Sequence, residues 1–151
     1  MVRLTLDRDT ILKRINGIQN EMKEMEKMSK IPFEEFKDGV GFKLAQFHLH
    51  RSLEGVFHIG AHILSRIPGG QASEYKEMAV KLGEYNIVDR DFANTTLKNM
   101  AGYRNRIVHF YAEISPEEIY EIINNNLGDF DIFLKGVKVV LENPGRFGIS
   151  A

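Results

Sequence analysis

The spacing of its apolar residues constrains this chain most. Between positions 11 and 25 they fall at Ile11, Ile15, Ile18, Met22 and Met25, in steps of four and three that lay one stripe along a helix. The pattern predicts a first helix from Asp7 to Met28, its stripe facing a core or a dimer seam. After a break at Pro32 and the stretch from Phe33 to Gly41, a second stripe runs through Phe42, Ala45, Leu49, Leu53, Val56, Gly60, Ile63 and Ile67, and stops at Pro68-Gly69-Gly70. A short third helix is expected from an N-cap at Ser73 through Tyr75, Met78, Ala79 and Leu82, with Gly83 just past its end. The fourth begins near Asp89 and carries Ala93, Leu97, Met100, Ile107, Val108 and Tyr111 on a face that only Arg104 interrupts.

Ser115-Pro116-Glu117-Glu118 opens a fifth helix with a capping serine, proline at the first helical position and glutamate at the third. Its stripe, Ile119, Ile123, Leu127, Phe130, Leu134, Val137 and Leu141, runs on toward Pro144, with Asn124-Asn125-Asn126 and Gly128 placed to bend it midway. No run alternates between turn dipeptides in the way a strand requires. The expected fold is therefore all-α, an antiparallel up-and-down bundle of four to five helices. At 151 residues the chain has the size of one domain, so a single domain is expected over 1–151, with a loose tail from 144.

Composition removes several function classes. The formal charge is −1, so no global positive field gathers nucleic acid, and any RNA contact must rest on a local cluster of arginines. Cysteine is absent, which excludes disulfides, thiolate catalysis and a Cys-based zinc site. No apolar run approaches the roughly 20 residues a spanning helix needs, nor is there a signal-peptide core, so the cytoplasm is the expected compartment.

Arg104 projects from a face whose other members are apolar or aromatic. Burying an unpaired charge costs roughly several kcal/mol, so this guanidinium must meet a carboxylate, reach the helix edge or face a wet cleft. Glu54 of the second helix is one candidate partner for a plain structural ion pair. His109, five residues on, lies about 140° round a straight helix, so the two side chains share no stripe unless the helix kinks or ends. A second copy of the same helix solves the geometry differently. Elsewhere, His48, His50, His58 and His62 all lie on the second helix, and Glu54, His58 and His62 share a face as zinc or iron ligands do. Their spacing is no recognised ligand signature and the helix is central, so no metal is expected there.

The segment Arg104-Asn105-Arg106-Ile107-Val108-His109-Phe110-Tyr111 resembles the Arg-x4-His-x-Tyr signature of HEPN-domain toxins of the HepT type. The helix order is similar as well, with the motif late in the penultimate long helix and a capped last helix following. That resemblance implies an endoribonuclease toxin of a type VII-like toxin–antitoxin pair, working as a homodimer that brings two such segments together across a two-fold axis into one composite cleft. RNA is cut there with no metal or other cofactor. Arg104 and His109 are the implied catalytic residues, with Asn105 supporting by orienting the cleft. Two histidines, one per subunit, serve as base toward the ribose 2′-OH and acid toward the leaving 5′-oxygen. Arg106 lies outside the family's pattern and is expected to support as a phosphate contact. Tyr111 is the implied modification site, where a cognate nucleotidyltransferase antitoxin attaches AMP and blocks RNA with added charge and bulk. The implied partners are RNA, a second copy and the antitoxin, and neither DNA nor a membrane. The alternative is a catalytically silent bundle of the same kind that binds a nucleotide or a partner protein as an accessory subunit.

Overall fold

A computed structural model describes residues 5–109 and 113–150, and over them the fold is an all-α bundle. Helix α1 (Arg8–Ser29) starts where Asp7 accepts hydrogen bonds from the Thr10 amide at 3.1 Å and the Thr10 hydroxyl at 2.6 Å. Its stripe of Ile11, Ile15, Ile18 and Met25 is buried along α3 (Val40–Ser65), which contributes Ala45, Leu49, Leu53, Val56, Ile59 and Ile63. The two helices come so close at Gly55 that a Cβ there would lie 2.8 Å from Cγ1 of Ile18. The expected first and second stripes thus meet each other.

Helix α2 (Phe33–Asp38) occupies a stretch expected to be irregular. Pro32 offers its carbonyl to the amides of Glu35 and Phe36, and Phe36 is fully buried against Phe42 and Tyr120. Tyr120 in turn donates its hydroxyl to the Ile31 carbonyl at 2.7 Å. An aromatic anchor from distant chain holds this turn, which six residues cannot hold by propensity alone.

Helix α4 (Tyr75–Glu84) is capped by Glu74 without a side-chain bond, one residue later than the Ser73 cap expected. It also runs through Gly83 instead of ending before it. The glycine is needed for close packing there, since a Cβ at 83 would stand 2.5 Å from that of Ala93. The fourth expected helix is a continuous run of α5 (Arg90–Phe92), a π-helical turn (Ala93–Leu97) and α6 (Lys98–Val108), capped by Asp89. The fifth divides into α7 (Pro116–Asn125), with the full capping box at Ser115 and Glu118, and α8 (Gly128–Glu142). The Asn-rich junction breaks the helix where a bend was expected.

The tail after Pro144, expected to be loose, is instead packed. Pro144–Phe147 form a 3₁₀ turn, Phe147 and Ile149 are buried, and Ser150 makes an isolated bridge to Thr5. Two apolar side chains that cover the core account for the order. One contiguous core draws buried residues from α1 through this final turn. No helix among the described residues is long and apolar enough to cross a membrane.

Candidate active site

Arg104 lies in the penultimate turn of α6, with 23% of its side chain exposed. Its Nε donates to Oε1 of Glu54 at 2.6 Å, so the structural partner proposed from sequence is in place. The guanidinium also lies 4.1 Å over the ring of Tyr75, which stacks at 5.1 Å on the buried ring of Phe57. Ion pair and aromatic platform fix the plane of the guanidinium from two directions. Neither uses the far edge of the fork. Nη1 makes only a long 3.4 Å contact to Oδ1 of Asn105, and Nη2 meets no acceptor among the described residues. That edge is oriented and partly wet, as two-pronged recognition of an anion requires.

Glu54 is a hub. Besides Arg104 it faces Nε2 of His50 at 3.7 Å and Nε2 of His58 at 3.4 Å, each one helical turn away on α3. Nδ1 of His58 lies 3.0 Å from Nη1 of Arg14, and because a guanidinium only donates, that nitrogen accepts. The remaining ring proton then sits on Nε2, aimed at Glu54. His62 does not join them. Its Nε2 accepts the Asp7 amide at 3.0 Å, and burial, with Arg66 adding to it, holds its pKa below the ordinary value. Glu54, His58 and His62 therefore do not converge, and among the described residues no group of three His, Cys, Asp or Glu side chains is arranged to hold a metal ion. His48 is paired with Glu21, which also accepts from Nε of Arg51 at 2.8 Å.

Helix α6 stops at Val108, and His109 is its C-cap, exposed, with extended backbone at φ −97° and ψ 117°. The helix that would separate its ring from Arg104 by about 140° ends at this residue. Asn105 contributes its carbonyl to the His109 amide at 3.2 Å. Arg106 points elsewhere, gripping Glu118 with both Nη atoms at 2.6 and 3.0 Å and the Glu113 carbonyl at 3.3 Å. This pairing raises the Arg106 pKa further and holds the Glu118 carboxyl below its ordinary range. Glu118 is also the capping-box glutamate of α7, so Arg106 ties the end of α6 to the start of α7. Tyr111 lies outside the described residues, in the segment between His109 and Glu113. Sequence reasoning missed Tyr75 as a site residue, because its place in the α4 stripe reads as core and the stacking is purely tertiary.

The described residues form an all-α bundle with Arg104 in the last two turns of α6 and His109 at its C-cap. A family model described as Ribonuclease HepT-like matches residues 18–137, and the chain belongs to that family. It is 27% identical over 88 residues to a protein named tRNA nuclease HepT from Aphanizomenon flos-aquae, covering 58% of this chain and 59% of that relative. With the protein named mRNA nuclease HepT from Shewanella oneidensis it shares 24% identity over 137 residues, 86% of this chain and 97% of the other. The fold is similar to that of a solved tri-AMPylated HEPN toxin of Shewanella oneidensis in complex with MNT antitoxin, with a TM-score of 0.78 and 23% identity over 87% of this chain and 98% of that one.

Proposed function

We propose that this chain is an endoribonuclease toxin that cuts RNA without a metal ion, in a cleft completed by a second copy of itself. The observation that carries the reading is the guanidinium of Arg104, clamped by Glu54 and Tyr75 with its outer edge open, on the helix that ends at His109. Arg104 binds the scissile phosphate and offsets the charge gathering on its non-bridging oxygens. One His109 takes the proton of the ribose 2′-OH as the 2′-oxygen forms its bond to phosphorus. The partner subunit's His109, protonated, gives its proton to the 5′-oxygen as the P–O5′ bond breaks. The products are a 2′,3′-cyclic phosphate and a 5′-hydroxyl. A second copy supplies that second histidine, so the mechanism needs a homodimer.

Asn105 supports the site through its carbonyl bond to the His109 amide and its side chain beside Arg104. Arg106 supports it by holding the α6–α7 connection through Glu118, which competes with the phosphate contact expected from sequence. RNA as the substrate class is supported by relatives named tRNA and mRNA nucleases. The similarity to a tri-AMPylated toxin in complex with an antitoxin supports an antitoxin as partner. In this reading the antitoxin is a cognate nucleotidyltransferase, and AMP added to Tyr111 is its means of control. All of this chemistry belongs to the cytoplasm. Substituting His109→Ala tests the reading: RNA cleavage and growth inhibition vanish while the fold and antitoxin binding persist. A wild-type protein that binds its antitoxin yet cuts no RNA would instead be a silent accessory subunit.

A further inference from the structure

A groove of about 470 Å³ runs between α1 and α3 and leads to the site through Glu54. Lys13, Arg14, His50, Arg51, Glu54 and His58 line it. In a chain of net charge −1 this is a local gathering of cations, and the two carboxylates within it are already engaged. Glu54 is committed to Arg104 and its flanking histidines, and Glu21 to His48 and Arg51. Among the described residues neither Lys13 nor Arg14 forms an ion pair with a carboxylate; Arg14 meets the ring of His58 at 3.0 Å, and its charge also acts on His62. The exposed face of α1 therefore holds two cations that form no ion pair with a described carboxylate, opening onto a channel whose wall carries the residue that clamps Arg104.

We propose that this groove carries the RNA strand flanking the scissile phosphate, with Lys13 and Arg14 neutralising its phosphates. This rests on the reading of the chain as a ribonuclease. Such contacts carry no base information and act by releasing counterions, so their signature is a salt dependence. A run of backbone phosphates also fits an open groove better than a closed pocket does.

The test compares His109→Ala with the same variant carrying Lys13→Gln and Arg14→Gln, measuring affinity for a fluorescent single-stranded oligoribonucleotide over a series of salt concentrations. The two glutamines are expected to weaken binding about tenfold at low salt and to flatten the slope of log K against log salt by about 1.4, roughly 0.7 for each phosphate that is no longer neutralised. Retaining charge with Lys13→Arg and Arg14→Lys is expected to restore the slope, which a merely structural role would not do. An unchanged affinity and slope overturns the groove, and does so even if the wild type cuts RNA, leaving the cleavage reading standing. Conversely, a wild type that cuts nothing but binds RNA through these two residues supports the groove and removes the cleavage reading. If the glutamines leave RNA binding alone but weaken capture of the purified nucleotidyltransferase, the groove is a protein-docking surface and the inference falls.

Discussion

Arg104 is held on two sides and open on a third, and each side is a separate demand on the residue type. Lysine at 104 keeps the charge but offers neither a flat face for Tyr75 nor a fork for both Glu54 and a phosphate. Arg104→Lys is therefore expected to lower RNA cleavage about a hundredfold with the fold intact, as measured by initial rates beside a circular dichroism control. Glu54→Gln keeps the shape and loses the charge. It is expected to slow cleavage about tenfold by loosening the guanidinium, measured in the same assay. Much of this residue-scale detail is legible in the sequence: an arginine on an apolar stripe demands a partner, and Glu54 is the candidate it offers. Tyr75 is not legible, because the packing of α4 on α3 and α6 that brings its ring to Arg104 is purely tertiary.

Elements follow the same division between local and distant causes. The capping box of α7 is readable from Ser115-Pro116-Glu117-Glu118 and is present in full. Its glutamate also receives Arg106, so Ser115→Ala is expected to cost about 1 kcal/mol of stability, read as a shift in the denaturant midpoint. What distant contacts decide is not readable. Phe36 folds α2 by docking on Tyr120, Gly83 permits α4 to approach Ala93, and Phe147 with Ile149 orders a tail whose glycines and proline suggest looseness. The N-terminus of α1 adds a pH dependence. His62 accepts the Asp7 amide only when its ring is neutral, and its folded pKa is depressed by burial below the ordinary 6.5. The unfolded chain takes the proton more readily, so this contribution is complete above 6.5 and is lost as the pH falls below it. The protection of the Asp7 amide against hydrogen exchange, taken relative to its intrinsic rate at each pH, is expected to fall on acidification, and His62→Gln to remove that pH dependence.

For the molecule as a whole, steps of three and four are enough to give the all-α class, since no alternating segment competes with them. Assembly is the part that one chain's periodicity leaves open. A surface with Val40, Leu44 and Phe47 exposed lies on α3, three and four residues apart, on the same side as Arg51 and Glu54. The proposed cleft requires two copies, so sedimentation at micromolar concentration is expected to show a dimer, with a stable monomer counting against the mechanism. In the proposed mechanism, paired Arg104 and His109 cleave RNA by themselves. Its most direct measurement is RNA cleavage by wild type and His109→Ala in excess chelator, with the product ends identified. Undiminished wild-type cutting to 2′,3′-cyclic phosphate and 5′-hydroxyl ends is expected, and none by the variant. Cutting that the chelator abolishes, or that survives the loss of the imidazole, would contradict it.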